Sequence, residues 1–326
     1  MPKNGSAPAT AALVVFRLAT LFTFLAVAMG AVVCATGSGA SCPTWPGCLP
    51  DQIAPQWQLS PLIEFTHRVV AMAAGPLVLA AAVMSTRLRG QDRAVRILPW
   101  VALIGALAAG AFGRFAVLSG LPTWLGGVDL FSALTAMTVM GVAAVRLGAT
   151  APAPDSPQSG PARPHQVRAE HLAAASISVV VMLHVTGIFV AAPHSYTRCM
   201  GWPIWRLIDS DLHPWLQYLR LGLGGVGAAL VLTTAVVATR SERLRRWGVV
   251  LATLFIAEMV LGLVIRSGGI NAGVAAAYSV LAVALLSCLG LLMAVASCGI
   301  VDTKRPTLLV TTGVPGAGSQ GDDGIL

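Results

Sequence analysis

Residues 271–299 read NAGVAAAYSVLAVALLSCLGLLMAVASCG, and the stretch carries not one charged side chain. A helix crosses the hydrocarbon core of a bilayer with roughly 20 apolar residues, so this run can span it unaided. Upstream of it lie seven more runs of that kind. Their bounds predict helices over 12–36, 61–86, 97–119, 123–147, 169–192, 211–238 and 246–266, besides 271–299 itself. The runs are too long and too rich in Leu, Ala and Gly to alternate as barrel strands, and a helix satisfies its backbone hydrogen bonds internally. Composition agrees: 56% of the 326 residues are hydrophobic and only 10% charged, too few polar groups to clothe a soluble domain of this length. The predicted fold class is an all-α membrane protein, its eight transmembrane helices paired off as two pseudo-symmetric four-helix bundles.

The net charge of +8 invites a nucleic-acid reading, but its distribution speaks for membrane topology instead. Arg87, Arg89, Arg93 and Arg96 lie between helices 2 and 3, and Arg146, Arg163 and Arg168 flank the junction of helices 4 and 5. Arg240, Arg243, Arg245 and Arg246 occupy the next such junction, and Lys304 and Arg305 follow helix 8. The first opposite loop, Thr36 to Ser60, has no Lys or Arg. Excess basic residues mark the cytoplasmic side, so both termini are expected there, in a multi-pass protein of the plasma membrane with the lipid bilayer as its partner. The first run is longer than a signal-peptide core, and Val33 stands before Cys34 where a lipoprotein signal has a small residue. It is therefore read as an uncleaved helix.

The Pro- and Ser-rich stretch 148–168 cannot pack a core and divides the chain. The expected organisation is a cytoplasmic N-terminus over 1–11, a first half over 12–147, a linker over 148–168, a second half over 169–299 and a disordered tail over 300–326. The halves echo each other: FGRFAVLSGLPTW (112–124) and LVIRSGGIN (263–271) both end a helix in a Ser-Gly turn. Four helices per half give both halves the same orientation, a parallel repeat.

Polar residues are sparse in these spans, and ionisable groups there usually face a site or an aqueous cavity. In SPLIEFTHRVV (60–70), Glu64 and His67 share one helical face about a turn apart. An imidazole here can ligate haem iron, and a nearby carboxylate can move protons or hold a water. The bland alternative is an interfacial cluster in which Arg68 pairs with Glu64. His213, ahead of Pro214, opens helix 6 at the place equivalent to His67; its plain reading is a helix-entry residue. Asp129, His184, Arg220 and Glu258 fit either a site or interhelical pairs. Cys42 and Cys48, in TGSGASCPTWPGC (36–48), lie where a disulfide can form, as a structural clip or as a redox pair; zinc lacks nearby ligands. Cys34, Cys199, Cys288 and Cys298 have no evident partners.

The loop motif TGSGASCPTWPGC, followed by Glu64-Phe65-Thr66-His67-Arg68 on helix 2, resembles the haem A synthase family, and the resemblance extends over most of 12–299. It implies a membrane oxidoreductase that converts the C8 methyl of haem O to a formyl group by successive hydroxylations, for cytochrome oxidase assembly. It also implies haem b as an electron-transferring cofactor, and haem O synthase or oxidase assembly factors as partners. By position, Glu64 matches the catalytic glutamate, His67 and His213 the axial ligands of helices 2 and 6, and Cys42 and Cys48 the loop pair. The pattern departs on helices 4 and 8, where the family has histidines. Asp129 stands at the first place, and Ala277 or Tyr278 at the second. An Asp carboxylate or a Tyr phenolate can bind ferric iron, but neither reproduces a bis-imidazole centre. The other reading is a non-catalytic relative that binds haem or a hydrophobic ligand, or serves as a membrane subunit of a larger complex.

Overall fold

The computed structural model describes residues 6–88, 90–120, 122–149, 164–190, 196–204 and 214–298. They form eight long helices: α1 (Ser6–Ala35), α2 (Leu59–Arg87), α3 (Arg93–Leu118), α4 (Thr123–Ala149), α5 (Pro164–Val190), α6 (Pro214–Thr239), α7 (Arg245–Gly268) and α8 (Ala272–Ser297). All eight are long and apolar enough to cross a membrane. Two short 3-10 turns, Ser38–Ala40 and Tyr196–Cys199, complete the described elements apart from one isolated bridge between Leu49 and Gln52.

Local chemistry explains where the helices begin and end. Proline tolerates the first helical position, where its missing N–H costs nothing, and Pro164 and Pro214 open α5 and α6 there. The side chain of Asp92 accepts from the Ala94 amide and starts α3 at Arg93, four residues before the span read from hydropathy. Asn271 caps α8 in the same way through the Val274 amide. Gly120 and Gly269 adopt φ of +75° and +83°, so the two Ser-Gly turns noted in the sequence both rely on left-handed glycine after a helix. α4 runs on to Ala149 and α5 begins at Pro164, so both helices reach into the stretch expected as linker. Its remainder, the tail and His213 lie outside the described residues.

Among the described residues, α1 packs beside α2 and α4, and α3 closes the set by touching α2 and α4. In the second half α5 packs beside α6 and α8, and α7 joins α6 to α8. The two sets meet where α8 touches α1 and α4, and where α4 touches α5. α3 shows how the outside is built. Ile97, Ile104, Leu107, Phe115 and Leu118 are exposed, while Val95, Pro99, Ala102, Gly105 and Ala116 are buried. Large apolar side chains point outward and small ones inward, the arrangement expected when lipid is the solvent and helices gain by close approach.

At the end of the bundle where α3 begins, Arg146 donates to Asp92 at 2.6 Å and to Ser297 at 2.9 Å, tying α3, α4 and α8 together. At the opposite end two disulfides form. Cys42 bonds to Cys48, with their Cα atoms 4.2 Å apart. Cys34, which had no evident partner in the sequence, bonds to Cys199. The correction has a simple cause: 165 residues separate the two cysteines, and only the packing of α1 beside the 196–199 turn brings them together. Cys288 and Cys298 remain free thiols.

Candidate functional site

The first turns of α2 carry Glu64, His67 and Arg68. Pro61, Glu64 and Arg68 are buried on the face turned into the protein. Arg68 donates from Nε to Glu64 Oε1 at 2.9 Å, so the interfacial ion pair weighed from the sequence is present. Arg68 also does something the sequence does not announce. Its Nη1 donates to the carbonyls of Thr44 and Gly47, and its Nη2 donates to the Cys42 carbonyl at 2.8 Å. One guanidinium therefore fastens the Cys42–Cys48 loop onto the face that bears Glu64. The planar fork of arginine suits this, since it can serve a carboxylate and several carbonyls at once. Arg114 of α3 lies 5.2 Å over the Trp45 ring and holds the loop from the other side.

Two polar atoms in this arrangement, Glu64 Oε2 and His67 Nδ1, are buried and have no hydrogen-bond partner among the described residues. Buried polar atoms in native proteins are nearly always paired, so orphans of this kind point to something the chain binds or to a proton it moves. The His67 ring is half-buried beside the Ala26 backbone, and an added Cβ at Gly30 of α1 would stand 3.2 Å from its Cε1. Asp129 of α4 is half-buried against Gly113 of α3 and has no hydrogen-bond or ion-pair partner among the described residues. The structure thus brings Glu64, Arg68 and the Cys42–Cys48 loop together, with His67 on the same stretch of α2 beside Ala26 and Gly30 of α1. No contact joins Asp129 to them among the described residues.

A second polar group lies within the other four helices. His184 (α5), Arg220 (α6), Glu258 (α7) and Tyr278 (α8) are all buried, one from each helix. His184 Nδ1 bonds to the Val180 carbonyl at 2.7 Å, leaving Nε2 buried and unpaired. Arg220 Nη2 donates to the carbonyls of Leu183 (3.0 Å) and Met200 (3.1 Å). Glu258 is wholly buried, and neither of its oxygens has a hydrogen-bond partner among the described residues. The Tyr278 hydroxyl donates to the Trp202 carbonyl at the long distance of 3.5 Å. The sequence marked His184, Arg220 and Glu258 singly as intramembrane polar residues, and the family resemblance marked Tyr278. What sequence reading missed is the segment 199–204, which reaches in among them; its Trp-Pro pair, Trp202 and Pro203, was the available signal.

A family model described as cytochrome oxidase assembly protein (COX15-CtaA) matches residues 14–289. The chain is 26% identical over 284 residues to a protein named Heme A synthase from Geobacillus kaustophilus, covering 81% of this chain and 85% of the relative. A Heme A synthase from Symbiobacterium thermophilum is 28% identical over 267 residues, covering 77% of this chain and 84% of that protein. A third, from Shouchella clausii, reaches 32% identity, but over 38% of this chain.

Proposed function

The chain belongs to the COX15-CtaA family of cytochrome oxidase assembly proteins, and from that premise we propose that it is a haem A synthase-type membrane oxidoreductase, which converts the C8 methyl of haem O to a formyl group in its first four helices. The observation that carries this reading is the pair of unpartnered buried atoms, Glu64 Oε2 and His67 Nδ1, a turn apart beneath the disulfide loop. An imidazole nitrogen with no hydrogen-bond partner can serve as a ligand to haem iron. Haem O would be the substrate, with His67 the residue that would hold its iron and Asp129 of α4 a further candidate oxygen ligand.

Each residue then has a task. Arg68 occupies one oxygen of Glu64 and leaves the other without a hydrogen-bond partner among the described residues. That free oxygen is placed to accept a proton or to hold a water, a general-base role suited to a positioned carboxylate. The loop pinned by Arg68 covers the site and limits access of bulk water. Haem b would supply electron transfer, and the position match with the family would give it His213 and Tyr278. Tyr278 does not offer that fit, since its ring is sealed and its hydroxyl is engaged with Trp202. The Arg-rich junctions support cytoplasmic termini in a plasma-membrane protein whose loop end faces out. That puts the site where haem O synthase and oxidase assembly factors are candidate partners.

Expression beside a haem O synthase tests the reaction, with extracted haems read by mass spectrometry. Haem A is expected, and expected to disappear in His67→Ala. A second reading, a relative that binds haem without oxidising it, is favoured by Asp129 standing where the family has histidine. Haem O that co-purifies unchanged, with an electron donor supplied, would decide for that reading.

A further inference from the structure

We infer that the second four-helix half of this chain takes no haem, because residues 199–204 occupy its interior, and that the protein holds haem in its first half alone. The segment reads Cys-Met-Gly-Trp-Pro-Ile, and all four surrounding helices grip it. Its backbone carbonyls are taken in order: Cys199 accepts from Ser279 of α8 at 3.1 Å, Met200 from Arg220 of α6, and Trp202 from Tyr278 of α8. The Cys34–Cys199 bond fixes its leading end to α1.

The side chains complete the seal. Trp202 is 3% exposed and meets Phe255 of α7 edge to face, with ring centroids 5.6 Å apart. Glycines make room for it. A Cβ added at Gly227 of α6 would stand 3.1 Å from the Trp202 ring, and one at Gly224 would stand 2.9 Å from Pro203. Ile204 reaches Gly262 of α7. Of the histidines described in this half, only His184 lies within the bundle, and its free Nε2 looks onto the segment. A single carbon added at Gly201 would come within 2.5 Å of that nitrogen. The Gly201 backbone therefore packs directly against Nε2, so the segment itself covers that histidine nitrogen. Sites for ligands of haem size need a cavity on the order of 300–1,000 Å³, mostly apolar and largely formed in advance.

The count of one haem rests on the proposed function; the closure of the second half does not. Two measurements on the purified full-length protein separate them. The first is the haem-to-polypeptide ratio from a pyridine haemochrome spectrum. One haem per chain is expected, lost in His67→Ala and kept in His213→Ala. The second is hydroxyl-radical footprinting with mass spectrometry. Trp57, 93% exposed, serves as the open reference, and Trp202 is expected to escape oxidation until the protein is denatured. Two haems per chain, loss of haem from His213→Ala in a chain whose Trp202 stays protected, or Trp202 oxidised as fast as Trp57 would overturn the inference. A protected Trp202 in a chain with no haem at all supports the closed half and refutes the haem reading.

Discussion

Arg68 has the most partners at the candidate site, and its loss should be felt most widely. Arg68→Ala removes the counter-charge of Glu64 and frees the carbonyls of Cys42, Thr44 and Gly47. Breaking a buried pair by deleting one member costs about 3–5 kcal/mol, so a clear drop in thermal midpoint in detergent is expected, with faster proteolysis of the 36–58 loop. Arg68→Lys should restore little, because an ammonium cannot serve a carboxylate and three carbonyls in one plane. Glu64→Gln keeps the shape and a hydrogen bond to Arg68 but cannot take up a proton. Haem should remain bound while haem A output falls by roughly 10²–10⁴; unchanged output would remove Glu64 from the reaction. The Glu64–His67–Arg68 face was legible in the sequence, since helical spacing alone puts these residues together. The grip of Arg68 on the loop was not, because its partners there are backbone carbonyls, which any residue carries.

Helix ends and helix contacts set how exactly α2 and α4 present their polar residues. Asp92 both caps α3 and receives Arg146. Asp92→Ala should cost about 1–2 kcal/mol for the cap and leave Arg146 with Ser297 alone, read as a lowered unfolding temperature with haem content unchanged. Gly105 lets α3 lie tightly on α4. A Cβ there would stand 2.9 Å from the Ser132 carbonyl and 3.2 Å from the Ala136 Cβ. Gly105→Val therefore has to push the helices apart, at a cost of about 1–3 kcal/mol for overpacking. A variant as stable as the parent would mean the contact is looser than described. The caps were within reach of sequence reading, as Asp and Asn before apolar runs signal a helix start. The close approach at Gly105 was not, because glycine is frequent throughout these spans.

The two disulfides act at different scales, and chain entropy predicts their ranking. Closing a loop of 165 residues restrains the unfolded chain by about 5 kcal/mol, against about 2 kcal/mol for a separation of 6. Cys199→Ser should accordingly lower the unfolding temperature more than Cys48→Ser, and the reverse order would show that the long-range bond is not what joins the halves. The amino-acid sequence by itself determined that lipid is the solvent and that eight helices cross it. Hydropathy summed over some 20 consecutive residues is a local quantity, and bilayer thickness sets its threshold. Only the tertiary structure decided that α8 lies between the halves, that Cys34 meets Cys199, and that residues 199–204 fill the second bundle. The reason is physical: α8 is apolar around its whole circumference, so no stripe on it says which side meets a neighbour. Contacts between residues more than a hundred positions apart leave no periodicity to read.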